Sequence, residues 1–300
     1  MSPTGPRAGS WAAQCCVALL LSASGARSAA EWEVLFDGRD IRHWTAGVAK
    51  AGSPAPPFPA DSWTVKDGWL EAIPTPIGAS LYSRKQYRNF ELEWEWRLNP
   101  SGNSGVKYRC RPEWLDPDFT QAVIPRARAA ALGLAVTVLV AALLMRRLRG
   151  AQRWIIAGFG GLASLLLLAG SYLFWLTLSR LRARPPGLEY QLIDDSQVAS
   201  AKGRTGAIYD LMAPPGLPPV ALGVPHQSRI VVAGHRVEHW LDGRRILTAE
   251  LGSLEFREAV ATSKFRHLEG FAEPSAGYLQ IQHHGTPAWF RNIRIRRLPE

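Results

Sequence analysis

The chain has 300 residues, 47% of them apolar and 20% charged, which excludes wholesale disorder and gives a length prior of about two ordinary domains. Its net charge of +10 is uneven: residues 112–186 hold +6 and the first thirty hold +2, leaving +2 for all the rest. That distribution argues against a phosphate-binding groove, so no nucleic-acid partner is expected.

Residues 1–30 have the layout of a secretory signal peptide. Arg7 supplies the positive end, Trp11 to Leu21 a short apolar stretch, and Ser28-Ala29-Ala30 the small residues of a cleavage site. Cys15 and Cys16 fall in this leader. Cys110 is then the one remaining thiol, which excludes an intrachain disulfide and a Cys-based zinc site. It reads as a small buried hydrophobe, with a catalytic thiol as the sharper alternative.

Residues 31–111 alternate apolar and polar side chains at period two, as in Trp63 to Leu70 and Phe90 to Leu98, the pattern of half-buried strands. Asp-Gly pairs at 37–38, 67–68 and 242–243 and Ser-Gly at 101–102 mark turns. No amphipathic helix stands out in this part.

The pattern then breaks. Ala129 to Met145 is 17 residues without a charge and Trp154 to Ser179 is 26. Against a bilayer core of about 30 Å they would span about 26 Å and 39 Å as helices. A pair of buried core helices is the plain alternative, but a 26-residue uncharged run is hard to bury in a β-rich chain, so residues 112–186 are expected to form an inserted transmembrane hairpin, with helices at about 127–147 and 154–179 touching the lipid. The arginines of the link and of the flanks nearly balance and do not set its orientation. Export of the leading strands puts both hairpin ends outside and the link in the cytoplasm. The expected location is the inner membrane, with the β domain in the periplasm or outside the cell. From Gly187 the strand texture returns and runs to Glu300, with a proline-rich loop at 214–225. One β domain, 31–111 plus 187–300, is thus expected to close across the insertion, because packed helices and paired strands have compatible spacings.

Period two sorts the faces. Phe90, Leu92, Trp94, Trp96 and Leu98 point inward and Glu91, Glu93, Glu95 and Arg97 outward. Val106, Tyr108 and Cys110 point inward and Lys107, Arg109 and Arg111 outward. Glu189, Gln191, Gln280, Gln282 and His284 also face outward. If these strands are neighbours in one sheet they form a single polar surface. A solvated sheet face is the plain alternative. His239 shares parity with Val237 and Leu241, as a satisfied core histidine would, and Arg291 shares parity with Ile293 and Ile295. A bulge or a buried ion pair is needed to expose either. Eight tryptophans lie outside the leader and hairpin, which suits sugar stacking as well as core packing.

In order along the chain, Leu35-Phe-Asp-Gly-Arg-Asp40 with Trp44, Tyr87-x-Asn-Phe90, Glu95-Trp-Arg97, Gly102-Asn-Ser-Gly-Val106 with Arg109, and Gly187-Leu-Glu-Tyr-Gln191 with Asp194 and Asp195 resemble the 3-keto-disaccharide hydrolase family. So do Gly206-Ala-Ile-Tyr-Asp210, Glu238-His-Trp-Leu241, Ser263-Lys-Phe265, His284-Gly285 and Phe290-Arg-Asn-Ile293. The resemblance implies a mainly β, concanavalin A-like jelly-roll sandwich, usually exported, acting on oxidised sugars. The chain departs from the family pattern at His226-Gln227 for Trp-Asn, at Asp242 for Asn, and at His283 for Asp. The hairpin replaces a normally short connection.

The implied chemistry is cleavage of 3-keto-glycosides or 3-keto-disaccharides. A base removes the C2 proton, the C1–O bond breaks, and water adds back. That needs a base, a cation at the enolate and an acid at the leaving oxygen. The candidates are Glu95 or Glu189 as base, His284 as acid or metal ligand, and Arg109 and Lys264 at the enolate. Asn103, Gln191, His239, Gln282 and Arg291 are the further candidates for holding the carbohydrate. A divalent metal ion on Glu95, Glu189 and His284 suits the donor types, though no dense ligand motif demands it. The alternative function is a membrane-anchored, lectin-like jelly roll that binds a glycan without cleaving it.

Overall fold

The computed structural model describes residues 31–48, 54–76, 78–111, 186–271, 273 and 275–299, with the isolated positions 133, 139, 143 and 150. The expected signal peptide lies outside the described residues, and so does the expected transmembrane hairpin apart from those four positions and Pro186. Among the described residues no helix is long and apolar enough to cross a membrane.

The strands are β1 (Glu33–Phe36), β2 (Trp44–Thr45), β3 (Trp63–Lys66), β4 (Trp69–Ala72), β5 (Leu81–Tyr87), β6 (Phe90–Leu98) and β7 (Asn103–Cys110) before the insertion. After it come β8 (Leu188–Ile193), β9 (His226–Ala233), β10 (Arg236–Leu241), β11 (Arg244–Glu250), β12 (Gly277–Ile281) and β13 (Ala288–Arg297). The larger sheet has the order β11-β10-β9-β6-β13-β4-β3, with β1 also on β13, and the smaller has the order β2-β5-β12-β7-β8. Every pair is antiparallel. Asp67-Gly68 and Asp242-Gly243 turn the β3–β4 and β10–β11 hairpins with positive φ at both residues, as two-residue hairpins require.

The two halves of the chain do zip into one body. β7 and β8 pair from Asn103↔Ile193 to Tyr108↔Leu188, and Arg111 N donates to Pro186 O at 3.4 Å. Both ends of the insertion therefore leave the same sheet edge side by side. The core lies between the sheets. Phe90, Leu92, Trp94, Trp96 and Leu98 are all buried, as their alternation predicts. Trp94 of the larger sheet meets Tyr190 of the smaller edge-on, with ring centroids 5.2 Å apart. Each such aromatic contributes roughly 1.5–3 kcal/mol by burial. Cys110 is fully buried, and burial pushes its thiol up to about 12, so it is core and not a nucleophile.

Strand texture does not continue through 253–262. A helix, α1 (Leu254–Thr262), forms there, with the Ser253 hydroxyl accepting from Phe256 N and Phe256 as its buried anchor.

Candidate active site

The two sheets have opposite outer faces, and this divides the expected polar surface. Glu95 and Arg291 belong to the larger sheet, whereas Asn103, Glu189, Gln191 and Gln282 belong to the smaller sheet or its margin. Glu95 and Glu189 thus look away from each other. Glu95 is held by Arg291 Nε at 2.7 Å and by Asn292 Nδ2 at 2.7 Å. Burial alone would raise its carboxyl, but these two hydrogen bonds outweigh it and keep Glu95 below its ordinary value. Arg291 is turned outward by a bulge in β13, between Arg291 and Arg294, which breaks the parity it shared with Ile293.

Arg109 is also displaced from the expected face. β7 bulges where Tyr278↔Cys110 and Gln280↔Lys107 enclose one extra residue, and Arg109 takes φ +55° there. Its guanidinium turns to the end of the sandwich, where Nη2 donates to Gly234 O at 2.9 Å in the β9–β10 turn and lies 3.5 Å from Arg88 O in the link from β5 to β6. Arg109 is 3% exposed, burial lowers it to about 10, and its Nε and Nη1 have no partner among the described residues. It is a cross-brace, not an outward enolate ligand.

His239 is a core residue. Its Nδ1 donates to Gly206 O at 2.9 Å, so Nε2 accepts from the Tyr108 hydroxyl at 3.0 Å. Burial pushes it down to about 4, which keeps it neutral.

What the smaller sheet does gather is a transverse row of polar side chains. The registers Tyr82↔Gln280, Gln280↔Lys107 and Lys107↔Glu189 place one residue from each of β5, β12, β7 and β8 side by side. Gln280 Nε2 donates to the Tyr82 hydroxyl at 3.0 Å, while Gln280 Oε1 is buried without a partner among the described residues. Lys107 Nζ stands 3.5 Å from Glu189 Oε2, with side-chain exposures of 13% and 5%. Removing one partner of a pair so withdrawn from water would leave the other uncompensated. Gly105 makes room for it: a Cβ there would lie 2.3 Å from Glu189 Oε1. Alternation puts Gly105 and Lys107 on one face of β7, so the carboxylate rests over the glycine.

Around this row stand the other candidates. Gln191 Nε2 points to Asn103 Oδ1 at 3.4 Å, and Asn103 N donates to Thr286 Oγ1 at 3.0 Å. Gln282 N donates to Gly105 O at 2.8 Å, and His284, two residues on, is exposed. On the β8 flank, Tyr209 N donates to Glu189 O at 3.0 Å. The Lys264 ammonium stands 4.8 Å from the Tyr209 ring, and its backbone N donates to Asp210 Oδ2 at 2.8 Å. The structure thus brings Glu189, Asn103, Gln191, Gln282 and Lys264 to one side and leaves out Glu95, Arg291, Arg109 and His239. Among the described residues no three His, Cys, Asp or Glu side chains converge, so Glu95, Glu189 and His284 are not a ligand set.

Lys107 and Gln280 were legible as outward residues, but nothing in the sequence singled them out. Tyr82 lies in a run without alternation, and Tyr209 in a loop. The departures from the family pattern have structural roles. His226 Nδ1 meets Asp242 Oδ2 at 2.8 Å, so two of them are partners of each other. His283 is buried, with Nδ1 accepting from Gly285 N at 3.2 Å and Nε2 therefore donating to Ile73 O at 2.9 Å.

Comparison with known proteins adds the following. A family model described as a 3-keto-alpha-glucoside-1,2-lyase-like domain matches residues 31–125 and 171–296. A 3-keto-disaccharide hydrolase of Bacteroides thetaiotaomicron is 23% identical over 291 residues, covering 88% of this chain and 77% of that protein. A candidate glycosyl hydrolase from Parabacteroides distasonis superposes with a TM-score of 0.58 at 19% identity, covering 89% of this chain and 94% of that one. Another crystal structure of a candidate glycosyl hydrolase from the same organism gives 0.52 at 18% identity, covering 89% and 100%. At these identities the superpositions speak for the sandwich fold alone.

Proposed function

The chain belongs to the 3-keto-alpha-glucoside-1,2-lyase-like domain family, and on that premise we propose that it cleaves 3-keto-glycosides on the outer face of the smaller sheet. The observation that carries this reading is the withdrawn Lys107–Glu189 pair, 3.5 Å apart, set over Gly105 in a row of polar side chains.

A ketone at C3 acidifies the hydrogen on C2. Glu189 takes that proton, and the electron pair it leaves spreads onto the C3 oxygen as an enolate, facing the Lys107 ammonium. Collapse of the enolate forms the C1=C2 double bond and expels the C1 substituent, whose oxygen takes a proton from a group at the exposed end of the face, where His284 stands. Water then adds its oxygen to C1 and a proton returns to C2, which regenerates the ketone. Lys264, Asn103, Gln191 and Gln282 border the row and supply donors and acceptors for sugar hydroxyls.

The test is turnover of a 3-keto-glucoside or 3-keto-trehalose by the purified full chain. Release of 3-keto-glucose by wild type, with kcat lower by at least about 100-fold in Glu189→Gln and substrate binding retained, is the expected result. Binding without release by wild type would instead make this a lectin-like module.

The same reading keeps the domain exported and tethered in the inner membrane. Three observations support the tether. The family match leaves 126–170 uncovered. The two ends of the insertion emerge side by side at Arg111 and Pro186. Leu139 and Leu143, helical and one turn apart, are 59% and 52% exposed, an arrangement suited to lipid.

A further inference from the structure

The larger sheet forks on its outer face. β13 pairs with β4 at Trp289 and Phe290 and then with β1 from Ile293 onward. On its other side β13 carries the bulge against β6, between Arg291 and Arg294. The extra residue is Asn292 at φ +52°, whose amide the bulge aims outward, so that Nδ2 donates to Glu95 Oε1 at 2.7 Å. A cavity of about 450 Å³ opens at this fork. That is within the range of small-ligand pockets, roughly 300–1,000 Å³.

The lining has two characters. Val34, half exposed, supplies the apolar part, Phe36 and Ile293 being buried, and Asp37, Glu95, Gln227 and Asn292 the polar part. The nearby cations are committed: Arg291 to Glu95 at 2.7 Å and Arg294 to Glu93 at 2.6 Å. An anion therefore finds no spare cation among these groups. Hydrogen bonds hold Glu95 in its charged form, an acceptor for hydroxyl donors. Acceptors on one side and hydrocarbon on the other match a molecule with hydroxyls around its edge and C–H groups on its face.

We propose that this cavity is a second saccharide site, taking a neutral sugar on the sheet opposite the Lys107–Glu189 row. Its role is to hold glycan without cleaving it: both oxygens of Glu95 already accept, Oε2 from Arg291 and Oε1 from Asn292, and Asp37 Oδ1 accepts from two backbone amides.

Calorimetric titration of the full chain with unoxidised trehalose tests the proposal. Asn292→Gly deletes the amide while tolerating the positive φ, and Gln227→Trp fills the cavity from an exposed position; thermal melting checks that both stay folded. The expected result is a binding phase weakened at least ten-fold by each of these variants and retained in Glu189→Gln. The absence of any trehalose binding, or a phase lost in Glu189→Gln and untouched by the two larger-sheet variants, overturns the second site. Neither outcome bears on turnover of 3-keto substrates, so failure here is distinct from failure of the proposed chemistry.

Discussion

Gly105→Ala should damage the site more than its size suggests. A Cβ at this position would lie 2.3 Å from Glu189 Oε1 and 3.0 Å from Cδ, whereas ordinary contacts begin near 3.4 Å. The carboxylate must then move by about 1 Å, and a shift of that size can cost on the order of 100-fold in rate. Glu189 has little space to move, since its side chain is 5% exposed and set against Lys107. Overpacking of this kind costs about 1–3 kcal/mol of stability. In an unhindered strand the same change should stabilise by about 0.5–1 kcal/mol, because glycine loses more entropy on folding. The sign is therefore diagnostic. The assay is kcat/KM on a 3-keto-glucoside together with urea unfolding. The shorter carboxylate of Gly105→Ala/Glu189→Asp should recover part of the stability but little of the activity. A Gly105→Ala protein that is more stable than wild type and fully active would refute the placement of Glu189 over Gly105.

Further outcomes follow from the buried groups. With its pKa near 12, the Cys110 thiol should resist alkylation by iodoacetamide at pH 8 until denaturant unfolds the chain. His239 is lowered by burial to about 4 from 6.5, so the unfolded chain binds the extra proton and stability is lost as pH falls from about 6.5 towards 4. By pH 4.5 this loss should reach about 2–3 kcal/mol in urea unfolding, and should be absent in His239→Gln. His226→Trp and Asp242→Asn introduce the residues the resemblance implies, yet each alone changes one partner of the 2.8 Å contact between positions 226 and 242. The double variant should be more stable than the sum of the single effects by about 0.5–1 kcal/mol in a thermal-melt cycle.

The sandwich was legible because period-two alternation is a direct consequence of burying one strand face. Phe90, Leu92, Trp94, Trp96 and Leu98 all obey it, and Asp67-Gly68 and Asp242-Gly243 marked their hairpins by a chemistry that suits two successive positive φ values. The site was legible in part. Parity put Lys107, Glu189, Gln191 and Gln280 outward, but parity is blind to which sheet a strand joins, so Glu95 was grouped with residues it faces away from. Bulges at Arg109 and Asn292 each insert one residue and reverse parity, and neither leaves a local sequence mark. Arg109 consequently read as an outward cation when it is a buried brace. Helix α1 was hidden because it buries one apolar side chain, Phe256, too few to make a 3.6-residue period.

The central claim is that Glu189 removes the C2 proton of a 3-keto sugar. Reaction in D2O, followed by mass and NMR analysis of the freed sugar, reads that step directly. Early in the reaction the product should carry one deuterium at C2, and Glu189→Gln should lose both label uptake and release. Product formed rapidly with hydrogen retained at C2, or undiminished labelling in Glu189→Gln, would contradict it.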